Sequence, residues 1–275
     1  MTDTTLTLAP LARPDTSRPI VPDVVRSEWT KLRSVRSTYW TLLVAAVSMV
    51  GLSALLCSIY IGRYSTLSAV DKATFNPTSF SLNGVMLAQL AIGVLGVLVI
   101  TAEYSTGMIR TTFGAVPQRK TVLAVKAGVF GLSAAVVGLV SSFAAFFVGQ
   151  AILSSQHIEA HIGDPNVLRS VIGAGLYLAV IGLLALGMGA LIRHSAGAIA
   201  AVFGLIFVLP GVVLALPASW GNAIGKYLPS NAGQAVFRTV RGGSTLSPWA
   251  GFGVFCAYAA VVLVAAGVMV VRRDA

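Results

Sequence analysis

Long apolar runs alternate with short polar segments along most of this chain. Six runs are nearly free of charge, at roughly 39–61, 82–102, 121–152, 169–192, 196–216 and 249–271. About 20 apolar residues in a helix cross the ~30 Å of a bilayer's hydrocarbon, so each run predicts a transmembrane helix. The third is longer than a bilayer needs, and its start should project beyond the membrane. The ten-residue alternation of a membrane barrel is not the pattern here. The expected fold is an all-α integral membrane protein, a single six-span domain over residues 22–275.

Composition agrees with that pattern. Hydrophobic residues make up 56% and charged residues 10%, against about 25% charged in soluble domains. The net charge of +10 would suggest nucleic acid in a soluble protein; in a membrane protein it marks cytoplasmic loops, which collect Lys and Arg. With the N-terminus inside, thirteen of the 19 basic residues are cytoplasmic and six are outside. Both termini are therefore expected in the cytoplasm. Residues 1–21 are polar, contain Pro10, Pro14 and Pro19, and lack the apolar core of a secretory leader. They are expected to form a disordered cytoplasmic arm. Cys57 and Cys256 fall inside the runs, where a thiol serves as a small apolar group.

Two segments outside the runs carry helical patterns. In residues 22–37, Val25, Trp29 and Leu32 share one face, flanked by Arg26 and Arg33, and Pro22–Asp23 is a helix opening. This predicts an amphipathic helix in the cytoplasmic interface, with Trp29 at headgroup level. The connection from Pro217 to Pro248 is too apolar for a plain loop. Short helices dipping into the outer interface would bury Trp220, Ile224, Tyr227, Leu228, Val236 and Phe237. Pro210 should kink the fifth span.

Several possible chemical sites do not hold up. Gly114–Thr121, GAVPQRKT, nearly matches a phosphate-binding loop, but Arg119 replaces the second glycine and no strand precedes it. His157 and His161 flank Glu159 without a third ligand and read as a solvated loop. Gln89 and Gln150 are the main strongly polar side chains within the spans, too few for ion or proton coupling. An energy source outside this chain is expected, and the chain itself is not expected to be an enzyme.

The segment Glu103–Lys126, EYSTGMIRTTFGAVPQRKTVLAVK, is the charged interruption between the second and third spans. Glu103 ends one span, and Thr106-Gly107 permits a sharp turn. Met108–Phe113 can form a short helix on the membrane surface, offering Arg110 to a partner. Pro117 ends it, and Arg119, Lys120 and Lys126 lead into the next span. These polar residues are expected to lie where a soluble partner can reach them. A short helix tied covalently to two spans would act as a lever.

Taken together, these segments resemble the permease subunit of a bacterial ABC-2 type transporter. The resemblance rests on the six spans, on Glu103-Tyr104-x-x-Gly107-x-Ile109-Arg110 with Pro117, Arg119 and Lys126, on Glu28-Trp29-Thr30-Lys31-Leu32-Arg33-Ser34, and on Tyr227-Leu228-Pro229-Ser230-Asn231. It covers about residues 22–273 and is nearly silent on cargo. It implies a homodimer or heterodimer of permease subunits in the bacterial cell membrane, bound to separate ATPase subunits that hold ATP and Mg. It also implies that Glu103, Tyr104, Gly107, Arg110, Pro117, Arg119, Lys120 and Lys126 form the coupling segment. Val25, Glu28, Trp29, Lys31, Leu32 and Arg33 of the interfacial helix would contribute to the same contact. Export is the expected direction. The alternatives are a non-transporting scaffold that recruits a soluble partner through the same segment, and an intramembrane enzyme, which the lack of paired carboxylates or ligating histidines in the spans disfavours.

Overall fold

The computed structural model describes residues 20–116, 118–239 and 245–272. The expected disordered arm falls outside the described residues up to position 19, and Pro117 and Arg241 fall outside them as well. Every regular element among the described residues is helical. The first is α1 (Ile20–Ser34), followed after one extended residue, Val35, by α2 (Arg36–Gly62). Two short helices, α3 (Ala69–Thr74) and α4 (Pro77–Ser81), begin at the side-chain caps Ser68 and Asn76. Each cap accepts a backbone N–H of the first turn, the usual remedy for unpaired amides at a helix start.

The central part comprises α5 (Val85–Ser105), the short α6 (Met108–Ala115), α7 (Arg119–Leu153) and α8 (Val167–Ile192). Then come α9 (Ser195–Phe203), α10 (Leu209–Leu214), α11 (Ala218–Gly225), α12 (Pro229–Gln234) and α13 (Pro248–Arg272). Among the described residues, six helical stretches are long and apolar enough to cross a membrane: 36–62, 77–105, 119–156, 167–192, 195–214 and 248–272. They coincide with the six apolar runs to within a few residues. At 1.5 Å per residue α7 is about 50 Å long, well beyond the bilayer's needs.

Helix α8 is the hub. Of its most apolar stretch 78% is buried, against 22% for the first, fifth and last spans. It packs against α5, α7 and α13, and small residues let it approach them closely. A Cβ on Gly138 of α7 would stand 2.7 Å from the Gly175 carbonyl oxygen of α8, so these two helices touch backbone to backbone. Larger side chains fill the space on either side of this contact. One cluster gathers Phe146, Tyr177 and Phe255, and another gathers Leu95, Ile109, Phe130 and Leu186.

The fifth span is irregular just before its proline. A π-helical turn, Gly204–Val208, separates α9 from α10. Pro210 has no N–H for the Ile206 carbonyl and its ring crowds that group, and a widened turn accommodates both problems. The connection after it divides. Trp220, Ile224 and Tyr227 are exposed, whereas Leu228 and Val236 are buried and Phe237 is half-buried. Helix α12 buries Pro229, Ser230, Ala232 and Gly233 against the bundle instead of lying along a surface. Its Gly233 sits where a Cβ would meet the rings of Tyr177 and Phe255.

The two span glutamines are satisfied locally. Tyr177 donates to Gln89 Oε1 at 2.6 Å, and Gln150 donates to Ser81 Oγ at 2.8 Å while accepting the Ala160 N–H. His157 and His161 are both exposed.

Candidate functional site

The charged residues singled out in the sequence converge on one end of the bundle. Helix α5 ends at Ser105, and Gly107 then adopts φ +72°, the left-handed conformation that side chains disfavour. That turn swings the chain sideways into α6. The residues of α6 divide by helical spacing: Ile109 is buried and Thr112 and Phe113 are half-buried, while Met108, Arg110, Thr111 and Gly114 are exposed. The inward stripe at i, i+3 and i+4 holds α6 on the bundle. Its outward stripe faces away from it.

Beneath α6 lies a closed ring of four charges. Lys31 of α1 donates to Glu28 Oε1 at 2.7 Å and to Glu103 Oε1 of α5 at 3.1 Å. Lys126 of α7 donates to the same Glu103 oxygen at 2.8 Å and to Glu28 Oε2. The signs alternate and cancel. Glu28, Glu103 and Lys126 each keep only 3% of their surface. Isolated charges at such depth would be prohibitive, and mutual pairing is what makes their burial possible. Glu103 Oε2 is buried without a hydrogen-bond partner among the described groups, so the ring is not fully satisfied.

Lys31 is the ring's most exposed member and its link to α6, with Thr112 Oγ1 a further 3.5 Å contact. Burial alone would lower its proton affinity, yet the Glu28 and Glu103 carboxylates outweigh that and hold its pKa above the ordinary lysine value.

Further ties complete this end. The Arg119 guanidinium stacks over the Phe113 ring at 5.4 Å and donates to the Val270 carbonyl, joining α6, α7 and the end of α13. Arg193, in the α8–α9 turn, covers the half-buried Tyr104 ring at 5.0 Å. Ser195 donates to Thr101 of α5 at 2.8 Å. The first and last described helices thus reach the same end as α6.

These residues lie at one end of the bundle, but several are less exposed than the sequence implies. Glu103 and Lys126, expected within a partner's reach, are buried in the ring with Glu28. Arg110 and Lys120 are exposed as expected, and Tyr104 and Arg119 are half-buried beneath other residues. On α1 the inward face is Val24, Glu28 and Lys31. Val25, Trp29 and Arg33 are exposed and Leu32 is half-buried beside Phe130. Thr112, Arg193 and the Thr101–Ser195 pair were not foreseen. A signal for the ring was present: a carboxylate at the end of one span and an ammonium near the start of the next require partners, and Glu28 and Lys31 supply them at helical spacing.

A family model described as ABC-2 family transporter protein matches residues 24–211, from α1 into α10, and so takes in the whole ring and α6. No curated protein sequence matches the chain. With six helices of membrane-spanning length and a family match over most of its length, the chain belongs to the ABC-2 transporter family and is a multi-pass membrane permease.

Proposed function

We propose that this chain is the membrane subunit of an ATP-driven exporter in a bacterial cell membrane. It pairs with a second permease subunit and receives force from a separate ATPase through α6. The observation that carries the reading is the geometry of α6, whose outward face offers Arg110 while the ring beneath it ties α1, α5 and α7 into one body. A lever must be rigid at its root and accessible at its tip, and this segment combines the two.

The orientation follows from charge. Ten of the fifteen described Lys and Arg residues belong to the segments at the α6 end, namely Arg26, Lys31, Arg33, Arg36, Arg110, Arg119, Lys120, Lys126, Arg193 and Arg272. That asymmetry supports a cytoplasmic location for α6 and both termini. Glu103, Gly107 and Lys126 position α6, whereas Arg110 and Lys120 face the partner. The exposed part of α1, with Val25, Trp29 and Arg33, lies in the interface beside them. ATP and Mg are held by the ATPase. Its closure would push α6 and move α5 and α7 with it, a rigid-body switch between two arrangements of the dimer.

Co-purification of the native permease from its own membrane, with a search of the eluate for an ATPase subunit, tests the reading. The wild-type pair should associate and show permease-dependent ATP hydrolysis, and Arg110→Glu should abolish both without altering folding. Failure of any ATPase to associate with the native permease would overturn the proposal. Association with no flux of any cargo would leave a scaffold in its place.

A further inference from the structure

We propose that the groove between α1, α2 and α7 binds one anionic glycerophospholipid, with an acyl chain in the groove and its phosphate at Arg33 and Arg36. The site rests on the reading of α7 as a membrane span with α1 at its cytoplasmic surface. The groove is a cavity of about 270 Å³, with Leu32, Leu42, Phe130, Val136 and Val137 among its lining residues. Ser133, the polar group on its α7 wall, donates to the Val129 carbonyl at 2.9 Å and so offers an incoming molecule little. Apart from the Thr38 hydroxyl on the α2 wall, the lining is therefore effectively hydrocarbon. Along α7 it runs from Phe130 to Val137, about 10 Å at 1.5 Å per residue, in the direction an acyl chain would take.

The mouth has the opposite character. Arg33 stands at the end of α1 and Arg36 at the start of α2, on either side of the break at Val35. Both are exposed, and neither forms an ion pair with a described residue. Arg36 shares a second, shallower hollow with Tyr39, Trp40 and Leu43, and Tyr39 borders both hollows. Basic side chains and amphipathic rings at one level, above an apolar slot, match a lipid's phosphate, glycerol region and tail in order. A peptide does not suit the slot, because its amide groups would find no partners there. A second copy related by a two-fold axis through the groove would bring the same two arginines against these.

The lipid would also act on α1. Trp29, Leu32 and Arg33 line the groove, while Glu28 and Lys31 of the same helix belong to the charge ring. An acyl chain between α1 and α7 would brace the helix whose other face carries the ring.

Native mass spectrometry of the full-length permease tests this. It would be released from bilayers of phosphatidylcholine alone or of phosphatidylcholine mixed with phosphatidylglycerol. One phosphatidylglycerol per chain should be retained, in preference to phosphatidylcholine and undisplaced by free glycerol phosphate. Arg33→Gln with Arg36→Gln should weaken retention roughly thirtyfold, the worth of two basic residues at a charged surface. Val136→Trp should abolish it by filling the slot. Val136 is half exposed, so the larger ring is expected to fold, and a melting curve in detergent checks that it does. Equal retention of the two lipids, displacement by glycerol phosphate, or retention unchanged by either variant would overturn the proposal. The readout uses no ATPase, so it stands or falls separately from the transport reading.

Discussion

Lys126 lies 2.8 Å from Glu103 Oε1, which places the start of the third span's helix against the end of the second beneath the turn that launches α6. The two are 23 residues apart in the chain, and each is 3% exposed. Lys126→Met should therefore destabilise the protein by about 3–5 kcal/mol, because it leaves two carboxylates facing one ammonium. Glu103→Leu combined with Lys126→Met should cost less than Lys126→Met alone, since a neutral Glu28–Lys31 pair remains. Unfolding in a denaturing detergent series, analysed as a double-mutant cycle, checks the sign of the coupling. Additive losses would mean that the two charges do not act as a pair.

Lys31 gives the ring a pH limit. Its folded pKa is raised, so its contribution is fully present below the ordinary lysine value of 10.5 and is lost as pH climbs through the raised value. Docking of α1 should accordingly be flat across the neutral range and fail only in strong alkali. Hydrogen exchange of the α1 amides would report this. Lys31→Gln should weaken docking at every pH below that step and leave it no weaker than the wild type above it.

Gly107 isolates the role of the turn. A Cβ added there meets nothing within 4 Å, so the only cost of Gly107→Ala is its φ of +72°. That cost is about 1–2 kcal/mol, borne where α6 leaves α5. Thermal stability should fall modestly and permease-stimulated ATP hydrolysis should fall more. Gly107→Asn, better tolerated in the left-handed region, should restore much of both.

The six spans were legible because a bilayer selects on one variable, apolar length, that a sequence displays directly. The ring was not. Its Lys126–Glu28 edge joins residues 98 positions apart, and a charge read in isolation defaults to the surface. The Val25–Trp29–Leu32 stripe of α1 was visible as a face, but the side of the helix that docks contains a glutamate and a lysine, whose apolar signal is nil. In the connection after the fifth span, Trp220 and Val236 look equally apolar, and only α12's seat against Tyr177 and Phe255 separates the exposed half from the buried one.

Two glycines of α7 should respond to alanine with opposite signs. Gly128 has nothing within 4 Å of an added Cβ. Gly128→Ala gains helix propensity without a clash and should stabilise by about 0.5–1 kcal/mol. At Gly138 the same methyl would stand 2.7 Å from the Gly175 carbonyl oxygen and 3.2 Å from its Cα, atoms that cannot rotate away. Gly138→Ala must force α7 from α8 and should destabilise by about 1–3 kcal/mol. Helix propensity alone would raise both melting temperatures, so a rise for Gly128→Ala with a fall for Gly138→Ala is the result that identifies backbone contact as what holds these two helices together.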